Sequence, residues 1–445
     1  MLTLMNLDDA LAYQPTELVS RSALFSLSPA RVGTSQQESL LSLLVRTSRA
    51  HLVSPRLLIK EVFGGVNSAI SKPCCTDFFS IDAGTVNGLG RYAEMFVSAM
   101  GELTSNQNIR YLTMLPWQGL FPFNGQGLLA RYPRWCPACL YQQHLSGQDT
   151  IFPLNWYVDV SRICVEHMCH LEDCCPHCGK TQPYLPRYPD LSICEHCHRS
   201  LAGVRYRGEM PQFQLWLNDA IGGMIMHQSE PNFAPSVDGF HEFVRERVRA
   251  MSAGNQAMFC RAIGFKDQGL KGWLTNGERP SFTQFLALCY GVNVMPVDIF
   301  VGGMAMDGSG FRLSPEKIKK RKACSRPSPQ RRKELEESLN ALLVSEESQS
   351  VTMIAANLGV TSSCLRYWFA ELCALLSERY KTAIKVRSQI HQAQQGRRVE
   401  EVVKMIYMEG RYPSQLQVDY VLRKEGMSLV QPHLLLAYKK ALNDV

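Results

Sequence analysis

Apolar positions along this chain recur at three- and four-residue spacing in several blocks, which predicts helices. Ser35 and Glu38 have the spacing of a capping box, so a helix is expected to open at Ser35. Leu40, Leu41, Leu43, Leu44 and Val45 then form its apolar face, with Arg46 and Arg49 outside it. A short helix is expected over Arg56–Phe63, opened by Ser54-Pro55 and ended by Gly64-Gly65. Another is expected from Thr85 to Met100, stopped by Gly101. From Tyr111 to Arg134, Trp117, Phe121, Phe123 and Pro133 mark loop or short strand. Helices return at Gln212–Met226 and Phe240–Met251, the second with Arg245, Arg247 and Arg249 on its surface.

Two later blocks carry the punctuation of a helix-turn-helix. In the first, a helix ends at Ile263-Gly264, a three-residue turn follows, and a second helix ends at Trp273-Leu274. Arg279-Pro280-Ser281 then leads into a further amphipathic helix, and a last turn of helix is expected over Met295–Phe300. This resembles phage-repressor domains, whose second helix enters the major groove. Here that helix would present Lys266, Gln268 and Lys271, with Asn276 and Arg279 placed for phosphates. The second block is sharper. Val351–Gly359 forms the first helix, Val360 fills the turn, and Thr361 caps the next helix. Val351, Ile354, Ala355, Leu358, Val360 and Leu365 would be its core, and Ser362, Ser363, Arg366 and Tyr367 would face DNA. A weaker copy spans 399–445, with His433 and Lys439 on its last helix.

Between the front helices and these blocks, nine of the sixteen cysteines fall within 62 residues. They include four ordered pairs: Cys136 with Cys139, Cys164 with His167, Cys175 with Cys178, and Cys194 with Cys197. Soft ligands two residues apart aim at one ion from a tight turn, and four such pairs complete two tetrahedral zinc sites. Every ligand position is filled by protein, so both sites read as structural, holding two Zn2+ ions. Cys169, His170, Cys174, His177, His196 and His198 crowd the same region as alternative or neighbouring donors. Disulfides would require an oxidising compartment, and Asp8 and Asp9 interrupt the short apolar start that a secretory signal would need. Trp135, Trp156 and Tyr157 lie among the ligands as apolar filling for a region too small to build a core without metal.

Charge adds a direction. The net formal charge is +7, but the part from Arg312 onward carries +9 and the rest −2. Lys317-Ile-Lys-Lys-Arg-Lys322 places Lys319, Lys320, Arg321 and Lys322 in a basic linker suited to tracking phosphates. Such a balance points to an anionic partner, most often nucleic acid, although solvated helix faces produce similar imbalances. No apolar run is long enough to span a bilayer. The expectation is a mainly α, multidomain chain. Its parts are an N-terminal helical domain (1–130), a zinc region with two sites (131–205), and a first helix-turn-helix domain (206–305). A basic linker (306–335), a second helix-turn-helix domain (336–395) and a C-terminal helical unit, the candidate third copy (396–445), follow.

Taken together, Glu38–Arg46 and the run Cys136-Pro-x-Cys139, Trp156, Cys164-x-x-His167, Leu171, Cys175-Pro-x-Cys178-Gly179 and Cys194-x-x-Cys197 resemble the TniQ/TnsD family. These are target-selection proteins of Tn7-like transposons, including CRISPR-associated ones. The likeness covers residues 35 to 205, and the later half matches only in style. Cys197-His198 stands where family members often have Cys-Gly, and Cys174 is an extra neighbour. The resemblance implies a bacterial cytoplasmic, nucleoid-associated protein without catalysis. It would mark an attachment site on double-stranded DNA and recruit a AAA+ ATPase (TnsC-like), and hence the transposase, through its N-terminal segment. Short members are instead carried to DNA by a CRISPR effector complex, and the +9 C-terminal part favours direct binding. No phosphate-binding P-loop and no His-Glu-x-x-His helix is present, which lowers the case for an enzyme. A zinc-containing transcription regulator shares the DNA-binding units and is separated from a target selector by where it footprints.

Overall fold

A computed structural model describes residues 21–71, 76–123, 125, 127–205, 207–231, 233–265, 267–301, 328–345, 348–425 and 427–444, the side chains of Thr76, Asp77, Asp267 and Gln268 excepted. The described part is helical, with one two-stranded ribbon, β1 (Ile163–Cys164) antiparallel to β2 (Cys169–His170). None of its helices is long and apolar enough to cross a membrane.

Helix α1 (Leu40–Ala50) starts later than its capping-box spacing predicts. Ser39, not Ser35, is the N-cap and accepts from the Ser42 amide. Glu38 does not reach back to Ser35. It is fully buried and accepts from the Ala30 amide at 2.9 Å, the Ser42 hydroxyl at 2.8 Å and Arg46 at 2.7 Å. Burial pushes its carboxyl upward and Arg46 pulls it back down, so the loop at Ala30 is tied to α1 by one desolvated carboxylate. Arg49, expected outside, is buried against Asp190 at 3.2 Å. The segment expected as one short helix is a turn of α-helix (Pro55–Leu57) followed by a π-helical turn (Leu58–Phe63). Helix α2 (Arg91–Thr104) runs through Gly101 and ends where Ser105 adopts a left-handed φ of 54°. Gly101 is no stop because the apolar stripe Phe96, Ala99, Met100 and Leu103 continues across it.

One core then spans the expected boundary at 130. Leu41, Leu44, Phe63, Phe78 and Phe96 pack in the same cluster as Trp135, Trp156, Tyr157 and the buried cysteines of 136–194. Helix α3 (Pro137–Leu145) belongs to it. Loops carry the join: Leu154 donates to Gln37 O at 2.8 Å, Ser39 to Phe152 O at 3.1 Å, and the Tyr184 hydroxyl to Ala130 O at 2.5 Å.

A second core gathers α4 (Gln212–His227), α5 (Val237–Ser252), α6 (Gln256–Ile263), α7 (Asp267–Asn276) and α8 (Phe282–Gly291) around the loop 114–128. Trp117 is fully buried there, with Phe121, Phe233, Phe285 and Phe300 ringing it at 5.1–6.4 Å between centroids. On α5 the structure corrects one surface assignment. Arg245 and Arg249 are exposed, whereas Arg247 is buried over the Phe243 ring.

The third core holds α9 (Pro329–Val344), α10 (Val351–Asn357), α11 (Ser362–Trp368) and the start of α12 (Ala370–Met408). Its 39 residues make α12 about 58 Å long. This helix crosses the expected boundary at 395 and also supplies the fourth core, where α13 (Gln415–Arg423) and α14 (Pro432–Asn443) pack on its far half. The Cβ of Ala437 lies 3.7 Å from where a Cβ on Gly396 would sit, so α12 and α14 approach closely. Two contacts lock α12 and α10 to the cysteine-rich part. The Tyr380 hydroxyl donates to Cys178 O at 2.6 Å. Gly179, at a left-handed φ of 67°, faces Met353 so closely that an added Cβ would lie 2.5 Å from its Cγ. Gly179→Ala is therefore expected to keep both cysteine clusters but weaken the seating of α10, costing about 1–3 kcal/mol from overpacking and backbone strain. Thermal melting and limited proteolysis of the 328–345 segment check this; wild-type behaviour in both would rule the contact out as a fastening.

Candidate metal centres and nucleic-acid interface

The two sets of paired ligands each converge. Cys136, Cys139, Cys164 and His167 bring their ligand atoms within 4.8 Å of one another, and so do Cys175, Cys178, Cys194 and Cys197. A tetrahedral ion with Zn–S bonds of about 2.3 Å separates its sulfurs by about 3.8 Å. The observed separations fit: Cys139 to Cys164 is 3.6 Å, Cys175 to Cys197 is 3.7 Å and Cys178 to Cys194 is 3.7 Å. His167 turns Nδ1 toward its set, 3.2 Å from Cys139 and 3.6 Å from Cys136 and Cys164. The donor chemistry is thus three thiolates with one imidazole, and four thiolates, both suited to zinc and with no ligand position left for substrate.

Local sequence explains the geometry. Cys136 is the N-cap of α3, with Pro137 at the first helical position, so the Cys139 amide points at the Cys136 sulfur, 3.5 Å away. In the second centre the His177 and His196 amides point at Cys175 and Cys194, each 3.4 Å away. Gly179 and His198 take the same left-handed place after their pairs, at φ 67° and 57°. His198 thus fills a conformation that glycine adopts without strain. The rings of His177 and His196 reach across to Ser200 O and Thr181 O, both at 3.1 Å, so neither is a ligand. Cys174 also stays outside, and burial pushes its thiol up to about 12. Cys169 is buried 3.6 Å from Cys136, within hydrogen-bonding reach of that ligand sulfur, but does not join the set. His170 is exposed.

Without a cation, such crowded thiols cannot all ionise. Hydrogen bonds, led by Cys136 for Cys164, by Cys175 for Cys194 and by Cys178 for Cys175, hold one thiol low in the first centre and two in the second, while Cys139 and Cys178 are driven up by their neighbours. A divalent ion removes that conflict, because it takes every ligand as thiolate.

The predicted DNA-facing residues divide. On α11, Thr361 caps the helix by accepting from the Cys364 amide, as its position predicts. Ser363, Arg366 and Tyr367 are exposed, Tyr367 at 78%, and Ser362 is half-buried. Leu365 is buried beneath them and the six expected core positions all pack together. The face is braced from α9: Arg332 lies 4.1 Å over the Trp368 ring and Arg331 donates to Leu358 O at 2.9 Å. No ion pair among the described residues engages Arg366.

The first helix-turn-helix block is less open. Lys271 is exposed on α7. Arg279 is not free for phosphate, since it donates to Gln118 O at 2.8 Å and Phe121 O at 2.9 Å and so clamps the Trp117 loop. Asn276 donates to the Glu278 carboxylate at 3.2 Å, which sets a negative charge beside it. Lys266 and the Gln268 side chain lie outside the described residues, as do Lys319, Lys320, Arg321 and Lys322. In the C-terminal unit Lys439 is exposed. His433 is turned inward against Gln395 at 2.9 Å, and burial lowers its pKa to about 4, so it carries no charge at neutral pH.

Sequence reasoning missed the polar joints that hold these faces in place. Glu38, Arg46, Asp149 and Arg423 form a relay of ion pairs at 2.7, 3.5 and 3.3 Å from α1 to α13. Nothing in local spacing marks it. For the metal centres, Cys175→Ser is expected to reduce bound zinc from two ions to one per chain and to unfold the part built on the second centre. Metal analysis with near-ultraviolet circular dichroism checks it, and fewer than two zinc ions in the unaltered chain would contradict the assignment.

Residues 29–171 match the TniQ family model. The match takes in α1, the first metal centre and the β ribbon, and stops before Cys175. No curated protein matches the chain. Residues 29–171 are therefore a TniQ domain, which ties this chain to transposition, in target selection or as an adaptor.

Proposed function

We propose that this protein is a non-catalytic target selector that binds double-stranded DNA directly and presents its TniQ domain to a AAA+ ATPase of a Tn7-like transposon. One observation carries the DNA-binding part: α11 is capped, braced from below, and offers Ser363, Arg366 and Tyr367 to solvent, with no ion pair among the described residues to satisfy Arg366. That is the arrangement a recognition helix needs, because its first turns meet base edges while its other face is held by a small core. The two zinc centres supply rigidity and no chemistry on DNA, since all their ligand positions belong to the chain.

A second reading, an adaptor that docks on an RNA-guided effector complex, draws on the exposed apolar residues Met408, Tyr412, Leu416 and Tyr420 at the far end of α12 and along α13. Such side chains suit a protein partner better than phosphates. Direct binding is favoured by the +9 charge of the C-terminal part.

Arg366→Ala separates the readings. If α11 reads a base, the variant is expected to bind the attachment-site duplex more weakly by about 1–3 kcal/mol while its affinity for random duplex changes little. Fluorescence anisotropy on both duplexes measures this, and equal affinities of variant and parent for the site would remove α11 from the interface.

A further inference from the structure

Beside the second metal centre the described chain leaves an open cleft that the target-selector reading does not use. One wall is the cysteine-rich turn with Arg199 and Ser200, and the other is the middle of α12 with Ile384, Arg387, Ile390 and His391. Its volume is about 510 Å³, far more than one ion or a few waters fill. The cleft is a continuation of a packed seam. Cys373, Leu376 and Tyr380 follow one stripe of α12 and are buried. At the same spacing the stripe goes on through Ile384, Arg387, His391 and Gln394, where apolar residues give way to polar ones and the walls part.

The charge here is one-sided. From Arg379 to Val399, α12 carries six Arg or Lys and no Asp or Glu. Arg387 and Arg199 in the cleft, and Lys385 next to it on α12 but outside its lining, are exposed, and no ion pair among the described residues engages them. Like charges left unpaired along one groove cost energy unless an anion joins them. The position is also regular. Arg387 lies 17 residues into α12, about 26 Å from the helix start next to α11, which is about 8 base pairs of a duplex lying along the helix.

We propose that this cleft is a phosphate-backbone site for the same duplex that α11 reads, so that α12 spaces a sequence reader from a sequence-blind clamp. This rests on α11 being a DNA reader. The rival role for Arg199 and Arg387 is to balance the negative charge that four thiolates leave around one Zn2+. The two roles separate in one experiment on the full-length, zinc-loaded protein, using the attachment-site duplex and a random duplex of equal length across a salt series.

The triple variant Arg199→Gln, Lys385→Gln, Arg387→Gln is expected to lose affinity for both duplexes by the same factor, tenfold or more. Its dependence of log K on log salt should flatten by about 2–3, or about 0.9 for each phosphate contact removed. Gln394→Lys, which adds a cation to the cleft and removes none, is expected to steepen it. Zinc content should stay at two ions. Arg366→Ala should lose preference for the site but keep the slope to within about one contact. An unchanged slope in both cleft variants overturns the proposal, and zinc loss with an unchanged slope assigns the cations to the metal centre instead. If Arg366→Ala is inert while the triple variant flattens the slope, the clamp stands and the reading by α11 falls. If the parent chain binds neither duplex at low salt, both fall together.

Discussion

Thiolates brought within 3.7 Å of one another repel unless a cation sits among them, and two such gatherings anchor this molecule. Each is assembled from separate turns of the chain, so a bound ion would do the closing of loops that a larger apolar core does elsewhere. Around them pack Trp135, Trp156 and Tyr157, and against those the helices of the N-terminal part. The metal centres are therefore shared by regions that look separable along the chain. Removing one ion releases ligands and also loosens the floor beneath α1 and α3.

The second centre has a further job, because α10 and α12 are fastened to it. Tyr380 donates into Cys178 O, and Met353 lies over Gly179. A helix of 39 residues has no stability of its own when much of its middle is exposed, so its direction is set by what holds its ends and this one seam. The relay from Glu38 to Arg423 acts on the other side, tying α13 back to α1. Only Glu38 in this relay is fully buried, and leaving it unpaired would be costly, so the pair with Arg46 penalises other arrangements more than it adds net stability. Position, rather than strength, is what these contacts give.

The contrast between the two helix-turn-helix blocks follows from the same logic. Both have the expected punctuation, yet Arg279 is spent on two backbone carbonyls around the Trp117 loop while no ion pair among the described residues engages Arg366. A long cationic side chain goes to the nearest acceptors the tertiary structure offers. Arg49 and Arg247 turn inward for the same reason, and His433 finds Gln395.

The sequence by itself determined the two ligand sets, the helix pair α10 and α11 and the cap of α11. Those signals are local: ligands two residues apart share one turn, and Thr361 caps the helix it adjoins. It also determined the helical character, though Ser39 displaced Ser35 as the first cap because buried Glu38 was needed elsewhere. Only the tertiary structure decided that one core ignores the boundary at 130, that α12 runs unbroken past 395, and that a cationic cleft opens beside Cys197. These depend on which distant surfaces meet, and the partner of a side chain more than a hundred residues away leaves no periodic trace in the order of the residues.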